Sequence, residues 1–180
     1  MAQSLKRLNN SFFARSADIV AQDLLGKILI RKINNQLLKA KIVETEAYFG
    51  NKDPASRAYK GKNKISEMMW QDAGKIMIYN VHMYKMFNIV TGKLNEPSAV
   101  LIRALEPINF QARCSGPGLL TNSLKIGKSL HGNSIISHPE ISILDNPSSH
   151  AIESSNRIGV TQDLKIPLRF FIKDNPFVSK

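Results

Sequence analysis

Two acids and a tyrosine alternate along one short segment and could together do acid–base chemistry. Glu44, Glu46 and Tyr48 belong to the segment IVETEAYF, and the alternation of a strand places all three on one face. A carboxylate on such a face can take a proton from water, and a second acid close by changes its affinity for protons. Periodicity alone favours a solvated outer face, so a functional and a purely structural interpretation both stay open.

A single arginine interrupts an apolar run elsewhere in the chain. Arg103 lies in AVLIRAL (99–105), which otherwise has the composition of a central strand. Because a lone buried guanidinium is costly, we expect it to pair with a carboxylate, and Glu44, Glu46 and Glu106 are the candidates. Such a pair could be structural only, or it could hold a polarised carboxylate beside a reacting water.

Other catalytic chemistries find little support in the residue pattern. The histidines (His82, His131, His138 and His150) lack the spacing of a zinc site, and there is no phosphate-binding loop or serine-nucleophile motif. Cys114 is the single cysteine and has no evident histidine partner, so we expect it to be a buried thiol. The sequence therefore predicts no metal and no organic cofactor, which leaves a carboxylate mechanism.

Length and charge limit the classes of partner. The chain has 180 residues and a formal net charge of +11, from 25 basic and 14 acidic side chains. No apolar run is long enough to cross a bilayer, and the first residues lack a secretory signal, so we expect an intracellular protein that does not enter a membrane. The charge favours a polyanionic partner, with nucleic acid as the first candidate and an anionic membrane surface or simple solubility as the alternatives.

The order of predicted elements indicates an α+β domain around a mostly antiparallel sheet, with residues 1–180 as one unit. A hairpin is predicted around Asn34-Asn35, and a helix over residues 17–26 with Ser16 as its N-cap. The region 128–156 is predicted as loops around one strand, ISIL (141–144). The other predicted elements are strands at 75–81, 87–92, 99–105 and 168–172, a short helix at 65–71 and a helix after Gly116-Pro117-Gly118.

Several segments in a fixed order resemble one known family. IVETEAY (42–48), DPAS (53–56), LIRALEP (101–107), CSGPGLL (114–120) and RIGV (157–160) are similar to the motifs of the 3-methyladenine DNA glycosylases of the alkyladenine, or methylpurine, type. The similarity covers nearly the whole chain. It implies a single mixed domain with an antiparallel sheet, from which a hairpin protrudes into the DNA minor groove.

The resemblance also implies roles for individual residues. Glu46 matches the general base that activates the hydrolytic water, and Arg103 matches the arginine that helps to hold this water. The backbone from Ile158 to Val160 matches a segment that gives the water a further contact. The family reaction is hydrolysis of the N-glycosidic bond of a flipped alkylated or deaminated purine in double-stranded DNA. It leaves an abasic site without a lyase step, and we expect a monomer.

Three further positions match the pocket that receives the flipped base. Tyr48 and Tyr79 match the aromatic walls between which the base is stacked. Asn88 matches an asparagine that, in this family, helps to reject purines with an additional exocyclic amine.

Two positions depart from the family pattern. Arg57 stands where many relatives have histidine, and as a permanent donor it would favour hypoxanthine over a purine with an N6 amine; alternatively it turns outward to a phosphate or an acid. His82 takes the place of the tyrosine that fills the vacated duplex site, with Met83 or Tyr84 as alternatives if the alignment gap falls elsewhere. His82 could also be an ordinary core or surface residue.

Three functions are therefore open on the sequence. The first is a DNA glycosylase that acts on damaged purines. The second is a catalytically weak nucleic-acid-binding module with the same fold. The third is a structural protein in which Glu46 and Arg103 form a buried pair.

Overall fold

Antiparallel pairing organises the residues that the computed structural model describes, which are 5–147 and 149–180. The strands in these ranges are β1 (Ile28–Ile33), β2 (Gln36–Tyr48), β3 (Ile76–Val81), β4 (Tyr84–Val90), β5 (Ala99–Pro107), β6 (Ile141–Leu144), β7 (Ile152–Ser155) and β8 (Arg169–Ile172). The helices are α1 (Asn10–Phe13), α2 (Ala17–Asp23) and α3 (Pro117–Ser123), with 3-10 turns at Glu67–Trp70 and Lys128–Leu130. The α+β class with an antiparallel sheet is confirmed.

The long strand β2 is the axis of this sheet. The strand order is β3-β4-β5-β2-β1-β6, and β8 pairs with both β2 and β7. Along one edge, β2 pairs first with β1 through Gln36–Lys41 and then with β8 through 44–46, while β5 lies along the other edge. The candidate acids Glu44 and Glu46 are therefore enclosed by strands on both sides.

Pairing between β2 and β5 is irregular where the candidate residues lie. Ile42 pairs with Leu105 and Glu44 with Ala104, so that Val43 has no partner across the ladder in this register. Thr45 then pairs with Ile102, which leaves out Arg103 on the opposite strand. Irregularities of this kind bend a strand and redirect a side chain, and here they lie beside the residues that the sequence analysis selected.

Helix α2 covers the face of the sheet opposite Glu44 and Glu46. Its residues Val20 and Ala21 are fully buried in one core cluster with Val43. The hydroxyl of Thr45 donates to the backbone carbonyl of Ala21 at 2.8 Å, which ties the strand to the helix. Because this face is filled with apolar side chains, the acids can only point to the other side of β2.

Some predicted boundaries were wrong. Strand β7 (Ile152–Ser155) lies in a region predicted as loop, because its side chains are largely exposed and show no alternation of burial. Ser16 takes the N-cap position of α2 without capping it, since its hydroxyl donates to Asp18 instead. Strand β4 begins at Tyr84 rather than at 87 because a two-residue turn joins it to β3. None of the described helices has the length and apolar character that crossing a bilayer requires.

Candidate active site

Glu46 is fully buried on β2, and described residues donate three hydrogen bonds to its carboxylate. The backbone N–H of Ile158 donates to Oε1 at 2.8 Å. The hydroxyl of Tyr48 donates to Oε2 at 2.7 Å, and Nη1 of Arg103 donates to the same oxygen at 3.3 Å. A buried carboxylate with these donors is both oriented and partly neutralised.

The surroundings of Glu46 raise the pKa of its carboxyl group above the ordinary glutamate value. Burial is the main cause, because it disfavours the charged form, and the nearby charge of Glu44 acts in the same direction. Arg103, the Ile158 N–H and the Tyr48 hydroxyl oppose burial without outweighing it. Burial and the charge of Glu46 also raise the pKa of Tyr48, so that its hydroxyl keeps the proton it donates.

Arg103 joins the two acids of β2. It is 7% exposed, and its Nε donates to Oε1 of Glu44 at 2.9 Å while Nη1 reaches Glu46. Burial by itself lowers the pKa of this arginine, but the two carboxylates outweigh burial and raise it. The prediction that Glu106 could be the partner of Arg103 was wrong, because Glu106 forms an ion pair with Lys41 at 2.8 Å.

A cleft of about 460 Å³ lies on this side of the sheet. The three donors to Glu46 (Tyr48, Arg103 and Ile158) contribute to its wall, so the carboxylate lies directly behind that wall. Strands, the loop after β2, α3 and the segment after β7 supply further lining residues, among them Arg57, Tyr79, Val81, Leu101, Pro117 and Val160. The structure thus brings six of the predicted positions together: Glu46, Tyr48, Arg57, Tyr79, Arg103 and Val160.

A second, much smaller cavity of about 10 Å³ adjoins this cleft between the two predicted aromatic walls. Tyr48, Tyr79 and Asn88 line it, together with the exposed Arg57 and the apolar residues Met69, Met77 and Ala99. The amide of Asn88 donates to the backbone carbonyls of Met77 and Met86, which fixes its orientation. Burial raises the pKa of Tyr79, so this pocket presents a neutral phenol.

An arginine lies over each of the two tyrosine rings. The guanidinium carbon of Arg57 is 5.0 Å from the ring centre of Tyr79, and that of Arg157 is 4.5 Å from the ring centre of Tyr48. Arg57 is exposed, whereas Arg157 is 5% exposed. Arg57 therefore rests against a pocket wall by a contact that it can give up, while Arg157 is part of the fixed structure.

The sequence analysis missed the role of Arg157. Its guanidinium forms ion pairs with Asp53 and Asp163, and Nη1 also donates to the backbone carbonyl of Ala47 at 2.8 Å. These contacts fix the segment RIGV beside β2, which positions the Ile158 N–H that donates to Glu46. The only signal in the sequence was an isolated acid in DPAS and an isolated arginine in RIGV, with no local pattern that joins them.

The hairpin tip carries the three candidates for insertion into DNA. His82 and Met83 form the turn between β3 and β4, and His82 has a φ of 52°. Met83 is 80% exposed and Tyr84 is 43% exposed. The Tyr84 ring packs so closely on Gly118 that a Cβ there would approach it to 2.4 Å, which leaves His82 and Met83 as the outermost side chains.

A carboxylate held in a fixed orientation beside a cleft is the kind of group that can serve as a general base. Residues 11–176 match the methylpurine-DNA glycosylase (MPG) family. Curated relatives, among them the three described next, carry the name "Putative 3-methyladenine DNA glycosylase". The protein from Aeropyrum pernix is 37% identical, with 96% of this chain and 93% of the relative covered. The protein from Carboxydothermus hydrogenoformans is 39% identical, with 96% of this chain and 98% of the relative covered. The protein from Legionella pneumophila (strain Corby) is also 39% identical, with 98% of this chain and 100% of the relative covered.

The chain therefore belongs to the methylpurine-DNA glycosylase family, a family of hydrolases that act on N-glycosyl bonds. The resemblance that the motifs indicated is confirmed. Membership of this family implies DNA as the partner and DNA repair as the process.

Proposed function

We propose that this protein is a monofunctional DNA glycosylase that removes alkylated or deaminated purines from double-stranded DNA and leaves an abasic site. The substrate class is that of 3-methyladenine, hypoxanthine and ethenoadenine, and the protein acts as an intracellular monomer without a cofactor. The observation that carries the proposal is the Glu46 carboxylate, fully buried behind the wall of the cleft and held by Ile158, Tyr48 and Arg103.

The target bond is hidden by base stacking, so the nucleotide must rotate out of the duplex. This rotation costs a few kcal/mol, and stacking of the base between Tyr48 and Tyr79 would return about 1–3 kcal/mol. The cavity between the two rings holds about 10 Å³, which is far less than a purine occupies. The pocket must therefore widen, and the exposed side chain of Arg57 is the lining group that is free to move.

Glu46 acts as the general base. Its Oε1 accepts one hydrogen bond from the described residues, so a lone pair on this oxygen is available to a water molecule. As the C1′–N bond breaks, its electron pair leaves with the purine, and the sugar becomes oxocarbenium-like. The negative carboxylate stabilises this cation until the water adds; the water oxygen then bonds to C1′ and one water proton passes to Glu46, which becomes neutral.

The other residues of the cleft and its small cavity hold the hydrolytic water or select the base that enters. Arg103 lowers the pKa of Glu46 and so favours its ionised form, and it contacts the water, while the backbone near Val160 gives that water a further partner. Asn88 limits the purines that enter, because its amide is fixed by two backbone carbonyls and cannot turn to accept a different substituent. The exposed lysines Lys60, Lys62 and Lys64 add to the positive charge that attracts DNA phosphates.

The direction of the Glu46 pKa shift predicts the acid limb of the pH–rate profile. A general base works in its ionised form, so activity falls as the pH drops through its pKa. Because burial raises the pKa of Glu46, this loss occurs at a higher pH than it would for an exposed glutamate. Single-turnover excision measured across the pH range locates the limb.

The direct test is a panel of duplexes, each with one damaged purine, scored for strand breaks after alkali. We expect wild-type protein to produce alkali-labile sites and Glu46→Gln to lose at least about 100-fold in rate, the lower end of what a general base contributes. Glu153→Gln is the matched control, because Glu153 is an exposed glutamate on β7. A wild-type protein that binds these duplexes with strong salt dependence yet yields no abasic sites would be the binding module, and the proposal would be wrong.

A further inference from the structure

Glu44 is as deeply buried as Glu46 but has a different set of partners. In the described residues its Oε1 accepts hydrogen bonds from Nε of Arg103 at 2.9 Å, Nε of Arg169 at 2.7 Å and the hydroxyl of Ser179 at 2.8 Å. Its Oε2 accepts from the backbone N–H of Ser179 at 2.7 Å. One carboxylate thus gathers donors from β5, β8 and the segment that follows β8.

The guanidinium of Arg103 is shared between the two acids. Its Nε faces Glu44, Nη1 faces Glu46, and Nη2 donates to the hydroxyl of Ser179 at 3.4 Å. A guanidinium is planar and its donors diverge at fixed angles, so fixing the Nε edge also fixes the direction of Nη1. Arg103 contacts Glu44 at 2.9 Å and Glu46 at 3.3 Å. The contact with Glu46 is the longer of the two, so it depends more on the orientation of the guanidinium.

The partners of Glu44 are themselves held. Nη1 of Arg169 donates to the hydroxyl of Ser155 on β7, and its Nη2 donates to the backbone carbonyl of Ser179 at 3.1 Å. In the register of β2 and β8, Arg169 lies directly opposite Glu46. The cluster of Glu44, Arg103, Arg169 and Ser179 therefore connects four parts of the fold at a point next to the proposed general base.

We propose that Glu44 is a positioning residue for the hydrolytic reaction: together with Arg169 and Ser179, it fixes the guanidinium of Arg103 against the carboxylate of Glu46. Glu44 acts through Arg103 and does not contact the substrate. This inference rests on the proposed function, since it assigns Glu44 a role in the same reaction. A purely structural role would make Glu44 important for folding without making the contact between Arg103 and Glu46 depend on it.

The ionisation of Glu46 distinguishes these two roles. The charged or titratable groups that face Glu46 are Arg103 from β5, Arg169 from β8, Tyr48 and Glu44 from β2, and Tyr79 from β3. Among these groups, the negative charge of Glu44 raises the pKa of Glu46 and Arg103 lowers it. Removal of the Glu44 charge alone therefore lowers the pKa of Glu46, whereas displacement of Arg103 from Glu46 raises it.

The experiment compares Glu44→Gln, Ser179→Ala and the control Glu153→Gln with wild type. Gln has no charge to hold the guanidinium of Arg103, so we expect Arg103 to move away from Glu46, the acid limb of single-turnover excision to move to higher pH and the plateau rate to fall about tenfold. Ser179→Ala keeps the charge and removes one donor, so we expect a smaller loss of rate with the acid limb in place. Glu153→Gln should match wild type in both respects.

A carbon NMR titration of the Glu46 carboxyl group measures its pKa without depending on activity. The Glu46 signal is identified as the one that is missing from the spectrum of Glu46→Gln. The positioning role is overturned if Glu46 in folded Glu44→Gln protein titrates at the wild-type pH or below it, because loss of charge without displacement of Arg103 has that result. If Glu44→Gln does not fold, an unchanged rate in Ser179→Ala overturns the role instead. Failure of the proposed function looks different: wild-type protein then makes no abasic sites although the titration of Glu46 still shifts in Glu44→Gln.

Discussion

Two regions of the cleft differ in how their charged and polar side chains are held. The cleft floor consists of buried charged residues on strands and on the RIGV segment: Glu44, Glu46, Arg103 and Arg157. By the cleft rim we mean exposed residues at and next to the cleft: Arg57, which lines it, and His82, Met83 and Tyr84 at the hairpin tip that follows the lining residue Val81. In the floor each charge meets at least one opposite charge within 3.3 Å, whereas the rim residues form none of the ion pairs found in the described chain.

This difference separates the chemistry from the recognition. If one partner in the floor is removed, the other is left as an uncompensated charge without access to water. Substitutions in the floor are therefore expected to destabilise the protein strongly. A side chain of the rim can be exchanged at small cost to stability, because water replaces its contacts. The two positions that the sequence analysis identified as departures from the family pattern, Arg57 and His82, both lie in the rim, while Glu46 and Arg103 of the floor lie in motifs that carry the resemblance.

Arg157→Gln should have the largest effect and tests whether the floor is held as described. Arg157 and Asp53 have fully buried side chains and pair at 2.6 Å, so we expect a loss of about 3–5 kcal/mol in the free energy of unfolding. Urea denaturation followed by circular dichroism measures this loss. The matched control is Arg15→Gln, because Arg15 pairs with Asp23 at 2.7 Å with both side chains partly exposed, and we expect about 1 kcal/mol or less. Equal losses for the two variants would contradict the comparison.

The sequence was most informative about the floor where the pattern is local. An arginine in an apolar run indicates a buried charge wherever it occurs, so Arg103 and the need for an acid could be predicted. The identity of that acid could not be derived from spacing alone, since Glu44, Glu46 and Glu106 were equally available. Glu106 lies towards the end of β5, where it is half-buried and meets Lys41.

The supporting residues of the floor could not be predicted, because their contacts are distant in the chain. Arg157 lies 104 residues from Asp53, while Arg169 and Ser179 lie 125 and 135 residues from Glu44. No periodicity connects positions so far apart. Such partners become visible only when β8 is placed beside β2, and that pairing has no local signal either.

The rim was difficult to predict for a different reason. The turn at His82 takes a positive φ without the glycine or asparagine that usually marks such a position, so its exact residues depended on where an alignment gap was placed. The pocket walls Tyr48 and Tyr79 were predicted from the resemblance to the family, because the strands on which they lie show no regular alternation of burial. Arg57 lies in a loop that lacks alternation altogether, and its direction could only be left open.

Arg57→His should have the next largest effect and tests whether the rim selects the base. A guanidinium near the pocket donates to the O6 of hypoxanthine but cannot accept a hydrogen bond from an N6 amine, whereas a neutral histidine can do either. Since hydrogen bonds to charged groups contribute about 1.5–3 kcal/mol, we expect the ratio of hypoxanthine to 3-methyladenine excision to fall about tenfold. Single-turnover rates on both substrates measure the ratio.

Arg57→Lys separates base selection from a contact with a phosphate. Lysine keeps the positive charge, so a phosphate contact would survive this substitution, while the directed donor of the guanidinium would be lost. If both variants lower the rates on the two substrates by one common factor, Arg57 binds the DNA backbone. The hypothesis about base selection would then be wrong, and the rim would contribute affinity only.

The smallest effect is expected at the hairpin tip, where His82 stays a prediction for the residue that fills the vacated duplex site. Met83, raised as its alternative, is apolar and 80% exposed, and methionine is among the side chains that DNA-bending proteins insert between bases. We expect Met83→Ala to slow excision from duplex DNA about fivefold, an effect of about 1 kcal/mol, and His82→Ala to slow it less. Excision from a single strand serves as the control, because no vacated duplex site has to be filled there. If His82→Ala has the larger effect on the duplex alone, the imidazole is the inserted group, and exposure of an apolar side chain is the wrong criterion for this rim.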